Sequence, residues 1–427
     1  MESKRVIAAA AVAALGITGF TACAPSTEQG GGQSIRFMNL FAGEEQRTII
    51  DDLIVEFEQQ NPGITVENVP VPGGQMDGTF RTQLAGGNPP DVFQAGRAIA
   101  LQLNSDGAIT PVDVEAMGYT SQDDVVDAYI PNAIEPYRAA DGSYFGVPES
   151  FANYLAWVDT QAFSDAGLDV PTTWDEVCEA GPKLLKKDAN GQITHVELTL
   201  PLASDVQYTF VDGFVRGFGG DLFSGDDLDQ PNLTSDEVVE AYSTLQRLVY
   251  DCQAAVPTLN TSDSGDDRGA FVNGQAAMML TGGTWMTGAL KEPLVSPRVQ
   301  AFPWPAGPAG SVSPGYGYGF VVPTASKNQD AAWKFVRFLS DAGVDYMELG
   351  QFNGRLDVAE SPEAAARVVD WNETWLPSLD SAVMAAPYDS TEIADILSTA
   401  MSKILLEKAD VRSTLDDAQS AVESALD

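Results

Sequence analysis

The sequence predicts an α/β protein built as two lobes, and three observations lead there. With the apolar leader and a polar spacer set aside, about 390 residues remain, more than one hydrophobic core usually fills. The first part of that body reads strand, helix, strand, the pattern of a parallel sheet with helices on its faces. A Gly-Val-Pro run at Gly146-Val147-Pro148 then opens a fresh series of strand and helix patterns, where a second lobe starts.

Taken in order, residues 34–41 read as the first strand. Ile49, Ile50, Leu53, Ile54 and Phe57 then share one face of a helix, which stops at the breakers Asn61-Pro62-Gly63. Residues 64–69 alternate as a second strand. A helix carrying Phe80, Leu84 and Ala85 ends in Gly86-Gly87-Asn88-Pro89-Pro90, and Asp91-Val92-Phe93-Gln94 begins a third strand. Ligands of open α/β sheets sit outside the carboxyl ends of strands, so Gln94 to Arg97 belong at a binding edge, while Asp91 orders its loop. Asp141-Gly142 marks a tight hairpin between Tyr137 and Tyr144. Thr172 or Thr173 caps a helix entered through Asp175-Glu176. Trp157, Trp174 and Trp333 fall in periodic apolar segments and read as core.

The N-terminus reads as a leader. Lys4 and Arg5 precede an apolar run over residues 6–20, and Thr21-Ala22-Cys23 follows. That is the layout of a secretory signal over residues 1–22. Small residues before a cysteine resemble the bacterial lipobox, with Phe20 where Leu is usual, so Cys23 is the expected lipidation site. An ordinary cleaved signal with a chance cysteine is the other reading. Lipid on Cys23 would anchor the chain to the extracellular face of the cell membrane without spanning it. Residues 23–34 are Gly-rich and polar, a flexible tether.

A net charge of −38 repels nucleic acid, which needs clustered Lys and Arg. His195 is the one histidine, which counts against His-based catalysis and most zinc or copper sites. No metal and no cofactor are expected. Cys178 and Cys252 form an even pair in an oxidising compartment, read as a disulfide in preference to two buried thiols. No nucleophile elbow, Walker loop or H-E-x-x-H occurs. With 61 acidic residues some carboxylate pair is certain, so a glycosidase dyad carries no information.

Six phrases, in order and at compatible spacing, carry a family likeness. They are residues 57–66 (FEQQNPGITV), 84–92 (LAGGNPPDV), 141–148 (DGSYFGVP), 163–168 with 173–176 (FSDAGL, TWDE), 271–279 with Gly283-Thr284-Trp285, and 326–328 with 331–335 (SKN, AAWKF). The chain resembles family 1 of the extracellular solute-binding proteins of ABC importers, which includes maltose- and oligosaccharide-binding proteins. Val158-Asp159 and residues 354–358 depart from the family pattern.

The resemblance implies a two-lobed periplasmic-binding-protein type II fold. Each lobe is a mostly parallel sheet flanked by helices, with the ligand cleft between lobes. It implies three crossings, near Pro148, Tyr318 and Gly354. The N-lobe would be 35–147 plus 319–353, and the C-lobe 148–318 plus 354–427. The Gly315-Tyr316-Gly317-Tyr318-Gly319 run supports the second crossing independently, since glycines absorb the backbone changes of a hinge; it also reads as a Gly-rich loop with packed tyrosines. The implied role is a monomeric binding protein, not an enzyme, that closes on a carbohydrate and delivers it to the transmembrane permease subunits.

Aromatic faces suit sugar rings, and planar polar groups suit their hydroxyls. The stacking residue chosen is Trp285, which also reads as core. Tyr316 and Tyr318 serve equally as ligand contacts or packing. The polar contacts chosen are Glu44, Glu45, Gln94, Arg97, Asn153, Gln207, Tyr208 and Arg355. Glu44 and Glu45 also suit the positive end of a helix, and Arg97 and Arg355 also suit ion pairs. A polyamine is the alternative ligand. A secreted glycosidase or polysaccharide-binding protein is the more distant alternative.

Overall fold

A computed structural model of the protein describes residues 32–72, 75–201, 204–224, 230–257, 265–283, 298–349, 351–367, 378–379, 382–384 and 391–426. The leader, Cys23 and most of the tether therefore lie outside the described residues. Among the described residues no helix is long and apolar enough to cross a membrane.

The described strands run, in chain order, β1 Gln33–Asn39, β2 Ile64–Pro70, β3 Val92–Gly96, β4 Val147–Pro148, β5 Ala152–Asn153, β6 Leu155–Asp159, β7 Lys186–Lys187, β8 Ile193–Leu200, β9 Phe223–Ser224, β10 Gln230–Pro231, β11 Ala255–Pro257, β12 Ala276–Gly282, β13 Val299–Phe302, β14 Ser313–Tyr316, β15 Tyr318–Val321 and β16 Ala382–Met384. They form two principal sheets. The first has the order β2-β1-β3-β15-β4 and the second β11-β8-β12-β6-β13, with β7 beside β8. A third sheet, β16-β14-β5, is made from strands next to the crossings.

The strand-helix-strand opening holds. The helix Glu44–Gln60 buries Ile50, Leu53, Ile54 and Phe57, and Phe57 meets Phe335 edge-on at 4.9 Å. Asn61-Pro62-Gly63 ends it, with Gly63 at φ +102, and β2 then pairs parallel to β1. The sheets are more mixed than the expected mostly parallel pattern. β1 runs parallel to β2 and β3, but β15 lies antiparallel between β3 and β4. In the second sheet β8 is parallel to β11 and β12, while β6 is antiparallel to β12 and β13. The reversals come from chain entering a sheet from a crossing, as β15 does straight after β14.

Each sheet has its own core. Phe37, Phe57, Phe93, Trp333 and Phe335 belong to one, and Trp174, Phe210, Phe214, Leu245 and Trp304 to the other. Full burial of such side chains stabilises by ~1.5–3 kcal/mol each. Trp157, Trp174 and Trp333 are buried, as their periodic segments predict. A third cluster, with Ile130, Phe151, Leu155, Trp157 and Phe352, packs around the crossings. Cys178, in the helix Trp174–Leu184, is disulfide-bonded to Cys252, just past the helix Asp236–Tyr250, with Cα atoms 4.9 Å apart. Thr173 is the N-cap of the first of these helices, accepting from the Glu176 N–H at 3.2 Å.

Candidate functional site

Three stretches of chain meet at the junction of the sheets. β4 and β15 pair within the first sheet through Pro148 and Gly319, and a few residues on β5 and β14 pair within the third through Asn153 and Gly315. Glu149 and Ser150 bridge the first of these passages, Gly317 the second. The backbone N–H groups of both Glu149 and Ser150 donate to the Tyr318 carbonyl, at 2.9 and 3.1 Å, and the Tyr318 N–H donates to Ser150 Oγ at 3.1 Å. The third stretch runs through Gly354, whose carbonyl accepts from Ile130 N–H at 2.8 Å. Gly354 has φ +72, and a Cβ there would fall 2.6 Å from the Ala133 methyl, so both backbone and space require glycine.

Buried polar atoms collect at this junction. Gln94, at the end of β3, accepts the Leu40 N–H at 2.9 Å through Oε1, while its Nε2 has no partner. Asn153 donates from Nδ2 to Ser378 Oγ at 2.8 Å and leaves Oδ1 without a partner. Glu149 is wholly buried and neither carboxyl oxygen reaches a partner in full hydrogen-bond geometry. Burial pushes its carboxyl up to about 7, against the opposing influence of the Ser150 and Gln94 side chains beside it. From the other lobe Asp212 is also wholly buried, held by Arg216 Nε at 2.9 Å, with Oδ1 unpartnered. Burial raises its carboxyl pKa; Arg216 and, across the junction, Arg97 oppose the rise. An aromatic pair lies alongside: the buried Tyr154 and the half-buried Tyr316 have ring centroids 5.0 Å apart. Tyr316 also presses on the end of β12, where a Cβ on Gly283 would fall 2.8 Å from its Cζ. The buried Trp157 Nε1–H fixes the neighbouring Gly282 carbonyl at 2.6 Å.

The residues chosen from sequence divide into groups. Gln94, Arg97, Asn153, Tyr316 and Tyr318 come together at the junction. Glu44 and Glu45 are exposed in the first turn of the helix that follows β1, with Gly43 as N-cap. Gln207 and Tyr208 lie on the helix Ser204–Gly217, with side chains outside the described residues. Trp285 lies outside them altogether. Arg355 is a different case. Its guanidinium is buried and engaged by Asp357 at 2.6 and 2.8 Å, Asp341 at 3.2 Å and the Tyr119 hydroxyl at 3.1 Å. Burial works against its charge, but the Asp357 carboxylate outweighs burial and its pKa rises. Its visible work is to fasten the third crossing to the first lobe, the ion-pair role rather than the pocket role. Asp91 orders its loop as expected, accepting from Arg36 N–H at 2.9 Å and from Ser326 Oγ–H and Asn328.

Sequence reading passed over Glu149 and Asp212. Both had a signal: an acid directly after the Gly-Val-Pro of a crossing, and an acid inside the apolar run Phe210-Val211-Asp212-Gly213-Phe214-Val215. A charge set among apolar neighbours is costly unless something uses it.

Comparison with known proteins agrees with this architecture. The sequence model of a family described as bacterial extracellular solute-binding protein matches residues 42–346. A putative ABC transporter periplasmic-binding protein of Escherichia coli, YcjN, is 26% identical over 320 residues, covering 72% of this chain and 69% of its own length. The GacH receptor of Streptomyces glaucescens, solved unliganded and with acarbose, superposes with a TM-score of 0.76 at 23% identity, covering 92% of this chain and 98% of its own. UgpB of Mycobacterium tuberculosis, solved with glycerophosphocholine, gives 0.77 at 19% identity, covering 93% and 99%.

Proposed function

Because this chain belongs to the bacterial extracellular solute-binding protein family, we propose that it captures a carbohydrate, a mono- or oligosaccharide, between its lobes and hands it to the permease of an ABC importer. The observation that carries the ligand class is the set of unpartnered polar atoms at the lobe junction: Gln94 Nε2, Asn153 Oδ1, Asp212 Oδ1 and the Glu149 carboxyl. A buried polar group left unpaired costs ~1–3 kcal/mol, so several on one seam call for a ligand that brings donors and acceptors together. Sugar hydroxyls do both, and the half-buried Tyr316 offers a face for the ring.

In this reading the crossings near Pro148, Tyr318 and Gly354 form the hinge. The lobes are 35–147 plus 319–353 and 148–318 plus 354–427, and binding is a population shift between open and closed forms. The protein acts as a monomer held on the outer face of the membrane by lipid on Cys23. Fatty-acid labelling is expected to mark the wild type and not a Cys23→Ser chain; an unlabelled wild type would remove the anchor from the proposal. Fold alone does not choose the ligand, and the relatives' ligands are diverse. A phosphate ligand would need excess positive charge, whereas Arg97 here shares the seam with Asp212 and Glu149. Those two acids favour one second reading, a polyamine.

A thermal-shift screen of sugars against polyamines decides between them. Ligand at 100 times its Kd adds ~2.7 kcal/mol to native stability. The expected result is a shift with a sugar, its affinity weakened roughly fivefold or more by Gln94→Ala and by Asn153→Ala, since each loses an uncharged polar contact worth ~1 kcal/mol or more. No shift with any mono- or oligosaccharide overturns the carbohydrate assignment, and a shift with polyamines alone transfers it to the second reading.

A further inference from the structure

We propose that the hinge between the lobes is proton-linked through Glu149: protonation favours the conformation described here, and ionisation favours conformations that admit water to this carboxyl. The inference rests on the reading of the three crossings as a hinge, and on the place of Glu149 within the first of them.

Glu149 sits between the last residue of the first crossing paired in the N-lobe sheet, Pro148, and the first paired in the third sheet, Ala152. Rotation of one lobe against the other must be taken up in such a short stretch. Its side chain is buried, and the Gln94 and Ser150 side chains that favour its ionised form do not offset that burial. Gln94 approaches from β3 with an unpartnered Nε2, and Ser150 stands beside it. The hydroxyls of Tyr137, from the turn Glu135–Tyr137, and Tyr346, from the helix Gly343–Tyr346, are buried without partners, and an ionised Glu149 would raise the pKa of both. Tyr318 on β15 adds a further phenol near Tyr137. The cation on this side is Arg97, at the start of the helix Arg97–Ser105, and it also faces Asp212 from the C-lobe.

The sign follows from the carboxyl being raised to about 7 while sealed; in water a Glu carboxyl titrates near ~4.3. Below the hydrated value both forms are protonated and the sealed form carries no penalty. As pH rises from there through about 7 the hydrated form ionises first, and the sealed form loses population.

The test uses ligand-free protein, so it stands apart from the sugar screen. Spin labels or fluorophores, one on each lobe, report the interlobe distance between pH 5 and 8.5. Infrared difference spectra report a protonated carboxyl over the same range. The wild type is expected to change its distance distribution as the carboxyl band is lost near neutral pH, with the acid limit matching this structure. Glu149→Gln should hold the acid-limit distribution throughout and lack the band. Because Glu149→Gln leaves in place Asp212 and Glu197, the other carboxyls raised by burial, a pH response that survives in it overturns the proposal. Should that variant not fold, the wild type decides: distance and band titrating together support the link, and either one staying flat overturns it. A flat distance with intact sugar binding would reject the proton link alone and leave the binding function standing.

Discussion

The phenol of Tyr316, on the second crossing, occupies the space that any side chain at Gly283 would need at the end of β12. A residue of the crossing is thus in direct contact with the end of β12, just before Trp285 in sequence. Gly283→Ala must displace either the ring or the strand end, and overpacking of this kind costs ~1–3 kcal/mol. We expect a lowered melting temperature and weaker binding of whichever ligand the thermal screen identifies. Tyr316→Phe, which removes only the hydroxyl, combined with Gly283→Ala should recover part of both. Melting curves and calorimetric titration of the single and double variants check this, and an unaltered Gly283→Ala would refute the contact.

A second expectation concerns Glu197 on β8. Its carboxyl is wholly buried with neither oxygen partnered, and burial pushes it up to about 9. The folded value lies above the unfolded one, so this group's contribution is fully favourable below the unfolded value of ~4.3. It is lost as pH rises toward and through about 9. Stability should therefore decline from acid toward alkaline pH. Glu197→Gln should gain at least ~1 kcal/mol at pH 8.5, read as ~2–4 °C, with little change near pH 4.5. Melting temperatures across that range decide it: a variant that melts at or below the wild type at pH 8.5 contradicts the assignment.

The Cys178–Cys252 bond closes a loop of 74 residues within the C-lobe. Chain-entropy arguments put the stabilisation from a loop of that length at about 4 kcal/mol. Replacing both cysteines by serine is expected to lower the melting temperature under non-reducing conditions, and reductant should then have no further effect. Peptide mapping with and without reduction tests the pairing itself, and free thiols at both positions would remove it.

Much of the fold was legible because its signals are local. Asn61-Pro62-Gly63 ends a helix whatever lobe it belongs to, and the 3.6-residue spacing of Ile50, Ile54 and Phe57 needs only one apolar neighbour. The mixed strand directions were hidden because β15 finds its place between β3 and β4 only after some 220 residues of intervening chain. Gln94, Arg97 and Asn153 were chosen by position, at strand ends and just after a crossing, and they lie at the junction of the sheets. Arg355 was chosen by the same rule, but it is held by Asp357 two residues on and by Asp341 and Tyr119, and no local pattern links the last two to it. Glu149 and Asp212 went unchosen because abundant acids mask the individual acid that is buried. Only tertiary packing tells one from another.

The place of β15 also governs when the molecule can be completed. The first sheet lacks the strand between β3 and β4 until residue 321 exists, and its core still awaits Trp333 and Phe335. The second core awaits Leu397, Ile404 and Leu415, from two helices near the C-terminus. Neither half can finish while the ribosome is still at work on the middle of the chain. Contacts so far apart in sequence make for slow folding. The growing chain therefore has an unpaired strand edge in the first sheet until β15 arrives, and an open second core until these two helices do.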